Sequence, residues 1–235
     1  SDVDEIFAYS FGPSTTKQAN IDKNTFLQRS SNSVFIPAKE IISIKDIILE
    51  AKDENRFGFE EPYSDLAKAL SRTQKGKNFK SFADARQNVS DMVGGRLEYN
   101  EDKNEWQFRD SNRRTYDIAT MSEGVKKLSI LDLLLGNHYL DNKSIILIDE
   151  VEANLHPSLI NRLLETILML ANDGVQFFIA SHSYFVIKRL YIMAHKHRKS
   201  IPILSFDNGV CAISDLQQEM PKNPIVEESI NLYKD

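Results

Sequence analysis

Two adjacent carboxylates, Asp149 and Glu150, end the aliphatic run Ser144-Ile145-Ile146-Leu147-Ile148, and Ala153-Asn154-Leu155-His156-Pro157 follows shortly after. In such a pair one carboxylate can hold Mg²⁺ while its neighbour orients or deprotonates a water. A short apolar run of this kind marks a buried parallel strand, and open α/β sheets bind ligands beyond the carboxyl ends of their strands. The pair therefore reads as half of a triphosphate-hydrolysing site. An exposed acidic turn after a strand is the plainer alternative.

A second set, Ile179-Ala180-Ser181-His182-Ser183, ends the next apolar run. Adjacent parallel strands end side by side, so His182 is expected near Glu150, where an imidazole can hydrogen-bond a terminal phosphate or the attacking water. Helix capping by Ser181 or Ser183 is the other role open to this stretch. A third set, Thr120-Met121-Ser122-Glu123-Gly124-Val125-Lys126-Lys127, combines a hydroxyl, a glycine and the free amides of a helix start. Such a start is an anion site, or simply a capped helix.

These residues need a frame. From Ser144 onward the pattern alternates: strand Ser144–Asp149, helix Pro157–Ala171, strand Val175–Ala180, helix Ser183–His195, then a hairpin of Ile201–Phe206 and Val210–Ile213 about Asp207-Asn208-Gly209. Strand and helix in alternation predict an α/β fold, mainly a parallel sheet flanked by helices. Upstream, strands are expected at Val3–Phe11, Asn24–Arg29 and Ser33–Ile36, and a helix over Ala38–Ala51 with Ile41, Ile44 and Ile48 at helical spacing. Helices follow at Pro62–Thr73 and Phe79–Val93, the second closed by Gly94-Gly95. Arg96–Asn100 and Trp106–Arg109 read as a hairpin, Ser122–Leu135 as a leucine-rich helix, and Ile225–Leu232 as a short amphipathic segment.

Composition sets outer limits. With 41% hydrophobic and 27% charged residues, the 235-residue chain can bury a substantial core. No apolar run approaches the roughly 20 residues of a membrane span, and Ser1-Asp2-Val3-Asp4-Glu5 has no signal-peptide character. No membrane partner is expected, and the cytoplasm is the expected compartment. Cys211 is the single cysteine, which excludes an internal disulfide and a cysteine-rich zinc site. A net charge of −5 argues against a protein that coats nucleic acid; His195-Lys196-His197-Arg198-Lys199 reads as the cationic end of a helix.

The ordered set of Ser-x-Gly helix, acidic strand and histidine strand resembles the C-terminal half of an ABC-type ATPase head, within the soluble branch of AAA-family ATPases grouped with OLD-type nucleases, Rad50 and SMC proteins. Met121-Ser122-Glu123-Gly124 is similar to its signature motif, Ile145–Glu150 to Walker B, Glu152–Leu155 to the D-loop, and His182 to the switch histidine. Val34-Phe35-Ile36-Pro37-Ala38-Lys39-Glu40 resembles a segment seen just before the helical lobe of this branch. The resemblance implies a P-loop NTPase fold that uses ATP and Mg²⁺. Asp149 would then be the metal ligand, and Glu150 and His182 the catalytic pair.

Ser122, Glu123, Gly124 and Asn154 would be nucleotide-binding residues, with Ser122 and Gly124 reaching the γ-phosphate held by a second copy in a head-to-tail dimer. It further implies an ATP-driven dimerisation coupled to a DNA-directed effector, such as a separate nuclease, in repair or anti-phage defence. The division expected is an ATPase-core start over 1–52, a helical lobe over 53–95, the signature, Walker B and histidine half over 96–214, and a tail over 215–235.

Two departures qualify the match. The signature reads Ser-Glu-Gly where Ser-Gly-Gly is commoner. More seriously, Gly-x-x-x-x-Gly-Lys-Ser/Thr does not occur in the 235 residues. Around Gly12, Lys17 stands where the second glycine belongs, and Gly76-Lys77-Asn78 lacks both the leading glycine and the hydroxyl. The phosphate-cradling loop is therefore expected upstream of Ser1, making this chain the C-terminal portion of a longer ATPase that is inactive alone. A non-hydrolysing dimerisation module is the alternative. A serine hydrolase is a poor third, because neither Ser181 nor Ser183 sits in Gly-x-Ser-x-Gly.

Overall fold

The computed structural model describes residues 7–11, 19–25, 31–54, 59–72, 80–100, 105–232 and 234. Both partial phosphate-loop matches, around Gly12 and Gly76, lie outside them. Two compact units are present, Ser1–Ser31 and Asn32–Asp235. In the first, β1 (Phe7–Phe11) and β2 (Ala19–Asn24) form an antiparallel ribbon in which Ile21 faces Tyr9. The strand expected at Asn24–Arg29 falls mostly on residues outside those described; β2 precedes it, from Ala19.

The second unit is built on a three-stranded parallel sheet. β3 (Ser33–Ile36) and β8 (Gln176–Ile179) flank β7 (Ile145–Ile148). In register, Ile146 meets Val34 and Phe177, and Ile148 meets Ile36 and Ile179. Val34, Ile36, Ile146 and Ile148 point into the core, while Leu147 and Phe178 on the other face are exposed. Hence β7 is the middle strand, with its carboxyl end between two others. The hairpin of β9 (Pro202–Asp207) and β10 (Val210–Asp215) is a separate antiparallel ribbon, with its turn at Asn208 and Gly209 in the left-handed region.

The helix expected from Ala38 begins later. Glu40 accepts the Ser43 N–H at 3.2 Å, a 3₁₀ turn takes Ile42–Ile44, and α1 is Lys45–Asp53. The carboxylate caps the turn, so regular helix starts only beyond it. α2 (Glu61–Leu70) opens on Pro62, and α3 (Lys80–Val93) stops at Gly94, whose φ of 77° suits a residue without a Cβ. β4 (Gly95–Asn100) and β5 (Glu105–Asp110) pair as expected. β6 (Thr115–Asp117), three residues with no periodicity to betray them, adds a third strand. The turn before it is made by Asp110, whose carboxylate accepts the Asn112 and Arg114 N–H groups at 2.9 and 2.8 Å.

α4 (Glu123–Gly136), α5 (Pro157–Asn172), α6 (Tyr184–His197) and α7 (Pro224–Leu232) complete the chain. Among the described residues no helix is long and apolar enough to cross a membrane. α2 and α3, in the stretch expected as a helical lobe, share one core with α4 and α5: Leu66, Leu70, Phe82 and Val89 cluster with Leu131, Leu134 and Leu164. Polar ties orient them. Asn137 donates to the Ala69 carbonyl at 2.7 Å, and Arg86 pairs with Asp132 through two bonds of 2.9 and 3.4 Å. Gly136 gives the guanidinium its space, since a Cβ there would lie 2.5 Å from Arg86 Cζ.

Only 15% of the Arg86 side chain and 4% of Asp132 are exposed, so removing one partner strands the other charge. Asp132→Ala is expected to lower unfolding free energy by about 3 kcal/mol in urea titration. A loss within about 0.5 kcal/mol, the size of an exposed pair, would show the ion pair to be solvated.

Candidate functional site

The site is assembled by strand register. The Asp149 N–H donates to the Ile36 carbonyl and the Ala180 N–H to the Ile148 carbonyl, both at 2.9 Å, carrying the parallel pairing one residue past the strands. Asp149-Glu150, Ser181-His182 and Pro37 thus leave the sheet at one edge, where an α/β sheet presents its ligand groups. Asp149 and Glu150 are half-buried and His182 is exposed. Among the described residues no group donates a hydrogen bond to either carboxylate of the acidic pair.

The chain turns sharply there. Glu150 has φ 43° and Asn154 φ 61°, both left-handed. Asparagine tolerates this region; for glutamate it costs on the order of 1–2 kcal/mol. The loop is closed by Ala153 N–H to Glu150 O at 2.8 Å and Leu155 N–H to Glu152 O at 3.1 Å. His156 then caps α5, its Nδ1 accepting the Ser158 N–H at 3.2 Å.

Glu152 clasps the neighbouring strand end. Its carboxylate accepts the Ser181 hydroxyl at 2.9 Å and the His182 N–H at 3.1 Å, and Ser181 Oγ in turn accepts the Ser183 N–H at 3.1 Å. Sequence reasoning placed Glu152 only at the start of a loop and read Ser181 as a helix cap. The clasp was hidden because its partners are about thirty residues apart and meet only through the sheet.

Ser122 caps α4, its Oγ accepting the Val125 N–H at 3.3 Å, and Ser122 and Glu123 are exposed. Gly124 is buried against the loop after Glu150: a Cβ there would sit 2.4 Å from the Asn154 carbonyl oxygen. Two lysines missed from sequence tie the same helix down. Lys126 reaches Glu123 at 3.1 Å and the buried Glu40 at 3.4 Å. Burial pulls its pKa down, but the Glu123 hydrogen bond and the Glu40 charge outweigh that and leave it raised.

Lys127 Nζ donates to the carbonyls of Asp149 at 3.1 Å and Glu150 at 2.6 Å. Burial lowers its pKa, opposed by the charges of Glu152, Asp149 and Glu150. Both stand in the Thr120–Lys127 set, which by sequence gives them no role. The signal available was their place in the first two turns of an otherwise leucine-rich helix.

Among the described residues, no three or more His, Cys, Asp or Glu side chains gather into a self-contained metal cage. A Mg²⁺ ion takes one or two carboxylates and completes its shell with phosphate and water. The Asp149 carboxylate, at the strand end and without a hydrogen-bond donor among the described residues, could serve as one.

Residues 17–188 match the family model described as "AAA domain, putative AbiEii toxin, Type IV TA system". The chain belongs to this family of AAA domains. No curated protein matches it. Among solved structures, an SMC ATPase from a study of ATP-driven dimerization and DNA-stimulated activation is 17% identical, covering 66% of this chain and 94% of that one at TM-score 0.43. The SMC head domain from Thermotoga maritima is 18% identical (TM-score 0.40), covering 65% of this chain, which spans only 51% of that head. The ADP form of an ATP-binding cassette of an ABC transporter is 16% identical (TM-score 0.41), with 86% and 68% covered.

The Glu152 clasp has a direct consequence. Glu152→Ala removes the acceptor of the Ser181 hydroxyl and the His182 N–H, at an expected cost of ~2 kcal/mol. Hydrogen exchange at His182 and Ser183 should accelerate beyond the global change. Unaltered exchange there would mean that the clasp does not hold the histidine loop.

Proposed function

We propose that the edge formed by Asp149, Glu150 and His182 is the hydrolytic half of an ATP site, and that a second copy of the chain completes it. The observation that carries this reading is the Asp149–Glu150 pair at the end of the middle parallel strand, its carboxylates without a hydrogen-bond donor among the described residues, beside the strand end that bears His182. Asp149 supplies the protein ligand to Mg²⁺, which when bound neutralises phosphate charge. Glu150 orients and deprotonates the attacking water, and His182 hydrogen-bonds the γ-phosphate. Ser122, Glu123 and Gly124 of the opposing copy meet that phosphate, with Asn154 beside them. Support for this last assignment is the exposed, capped start of α4, whose free amides and hydroxyl suit an anion.

The site needs a phosphate-cradling loop in addition, and the Gly-x-x-x-x-Gly-Lys-Ser/Thr pattern of such a loop does not occur in the sequence. ATP-dependent dimerisation then drives a DNA-directed effector, for which a separate nuclease in repair or anti-phage defence is the partner class.

In the protein expressed from its full natural reading frame, Glu150→Gln should cut ATP turnover by about 10²–10⁴-fold while leaving nucleotide binding in place. Turnover unaffected by the change would reject Glu150 as the base. Dimerisation indifferent to ATP would instead favour a scaffold module.

A further inference from the structure

We propose that Lys127 is a positioning residue for Glu150. Its ammonium holds the backbone turn that aims the Glu150 carboxylate, and thereby ties that carboxylate to the helix carrying Ser122 and Gly124. The inference rests on the reading of Glu150 given above and adds a residue which that reading leaves out.

The argument begins with the backbone. In an extended strand successive carbonyls point to opposite sides, so one donor cannot take two in a row. Lys127 Nζ nevertheless takes both Asp149 O and Glu150 O, at 3.1 and 2.6 Å. The chain permits this because Glu150 leaves the extended region for φ 43°. A glutamate has no preference of its own for that region, so the surroundings must hold it there. The Ala153 N–H closes the turn from one side, at 2.8 Å to Glu150 O, and Lys127 from the other.

Charge strengthens the case. Lys127 is only 5% exposed and its hydrogen bonds go to carbonyls, whereas Lys126 beside it pairs with two carboxylates. A position that merely filled the core would be served as well by leucine or methionine, as Leu128, Ile130 and Leu131 serve theirs. An ammonium here instead lies under Asp149, Glu150 and Glu152 and offsets their mutual repulsion. Geometry supplies the coupling. Gly124 and Lys127 are three residues apart on one face of α4 and grip the loop at two points, Gly124 at the Asn154 carbonyl and Lys127 at the Glu150 turn. A shift of α4 must therefore move the Glu150 turn.

Lys127→Met keeps the volume and removes the donor; Lys127→Arg keeps donor and charge. The first readout needs no nucleotide: amide exchange at Ala153 and Leu155 should rise by about tenfold or more in the Met variant, with α3 and the β4–β5 pair unchanged, and return towards wild type in the Arg variant. The second is turnover in the natural protein, where kcat for ATP should fall by about 10–100-fold with KM changed less than about threefold.

Should the Met variant not fold, Lys127→Leu, which likewise removes the donor, takes its place in both assays. Unchanged exchange in the loop, or a uniform rise through every element, would overturn the proposal. If Glu150→Gln leaves hydrolysis intact, the role of Glu150 fails by itself, and the exchange data still decide whether Lys127 holds the turn.

Discussion

Everything at this site depends on β7 being the middle strand of a parallel sheet. The register that sets Ile36 and Ile179 on either side of Ile148 brings three chain segments out at one edge. That register brings together Pro37, Asp149 and Ser181, which are far apart in sequence. Hydrophobic burial of Ile146 and Ile148 selects the face that points inward, and a slip of one residue would turn the buried set outward. Pairing therefore specifies the position of the acids before any polar contact contributes.

Polar contacts then refine that edge. Glu152 fastens the histidine loop from one side, Lys127 supports the acidic turn from below, and Gly124 lets the start of α4 approach the Asn154 carbonyl. Lys127 and Gly124 each join a loop to helix α4 and Glu152 joins two strand-end loops, which helps a site hold its groups in a fixed stance. The two acids themselves are left free of internal donors among the described residues. Partners satisfied by the fold would have to be displaced by a ligand; these do not.

The acidic strand, the helix after it and the histidine strand were legible in the sequence because local pattern decides them: aliphatic runs, Pro157 at a helix start, Gly174 after its end. The capped start of α4 was legible for the same reason, through Ser122. What the sequence concealed was tertiary. β3 carries no mark of pairing with β7, and β6 is too short to show a period. Glu152, Lys126 and Lys127 were missed because a charged residue on a helix or loop looks solvated until the neighbouring segment is known. The same holds for Asp132, which lies among leucines and is explained only by Arg86 on another helix.

The account's central claim is that one site is shared between two copies, with Glu150 acting from one and Ser122 from the other. Mixing the Ser122→Arg and Glu150→Gln variants of the natural protein tests it most directly. Each variant alone should be inactive, since each spoils both sites of its own dimer. In a mixed dimer one site receives an intact Glu150 and an intact Ser122, so ATP hydrolysis should return well above that of either variant. If the mixture stays as inactive as its components while mixed dimers demonstrably form, the two residues do not act across copies, and the shared site is wrong.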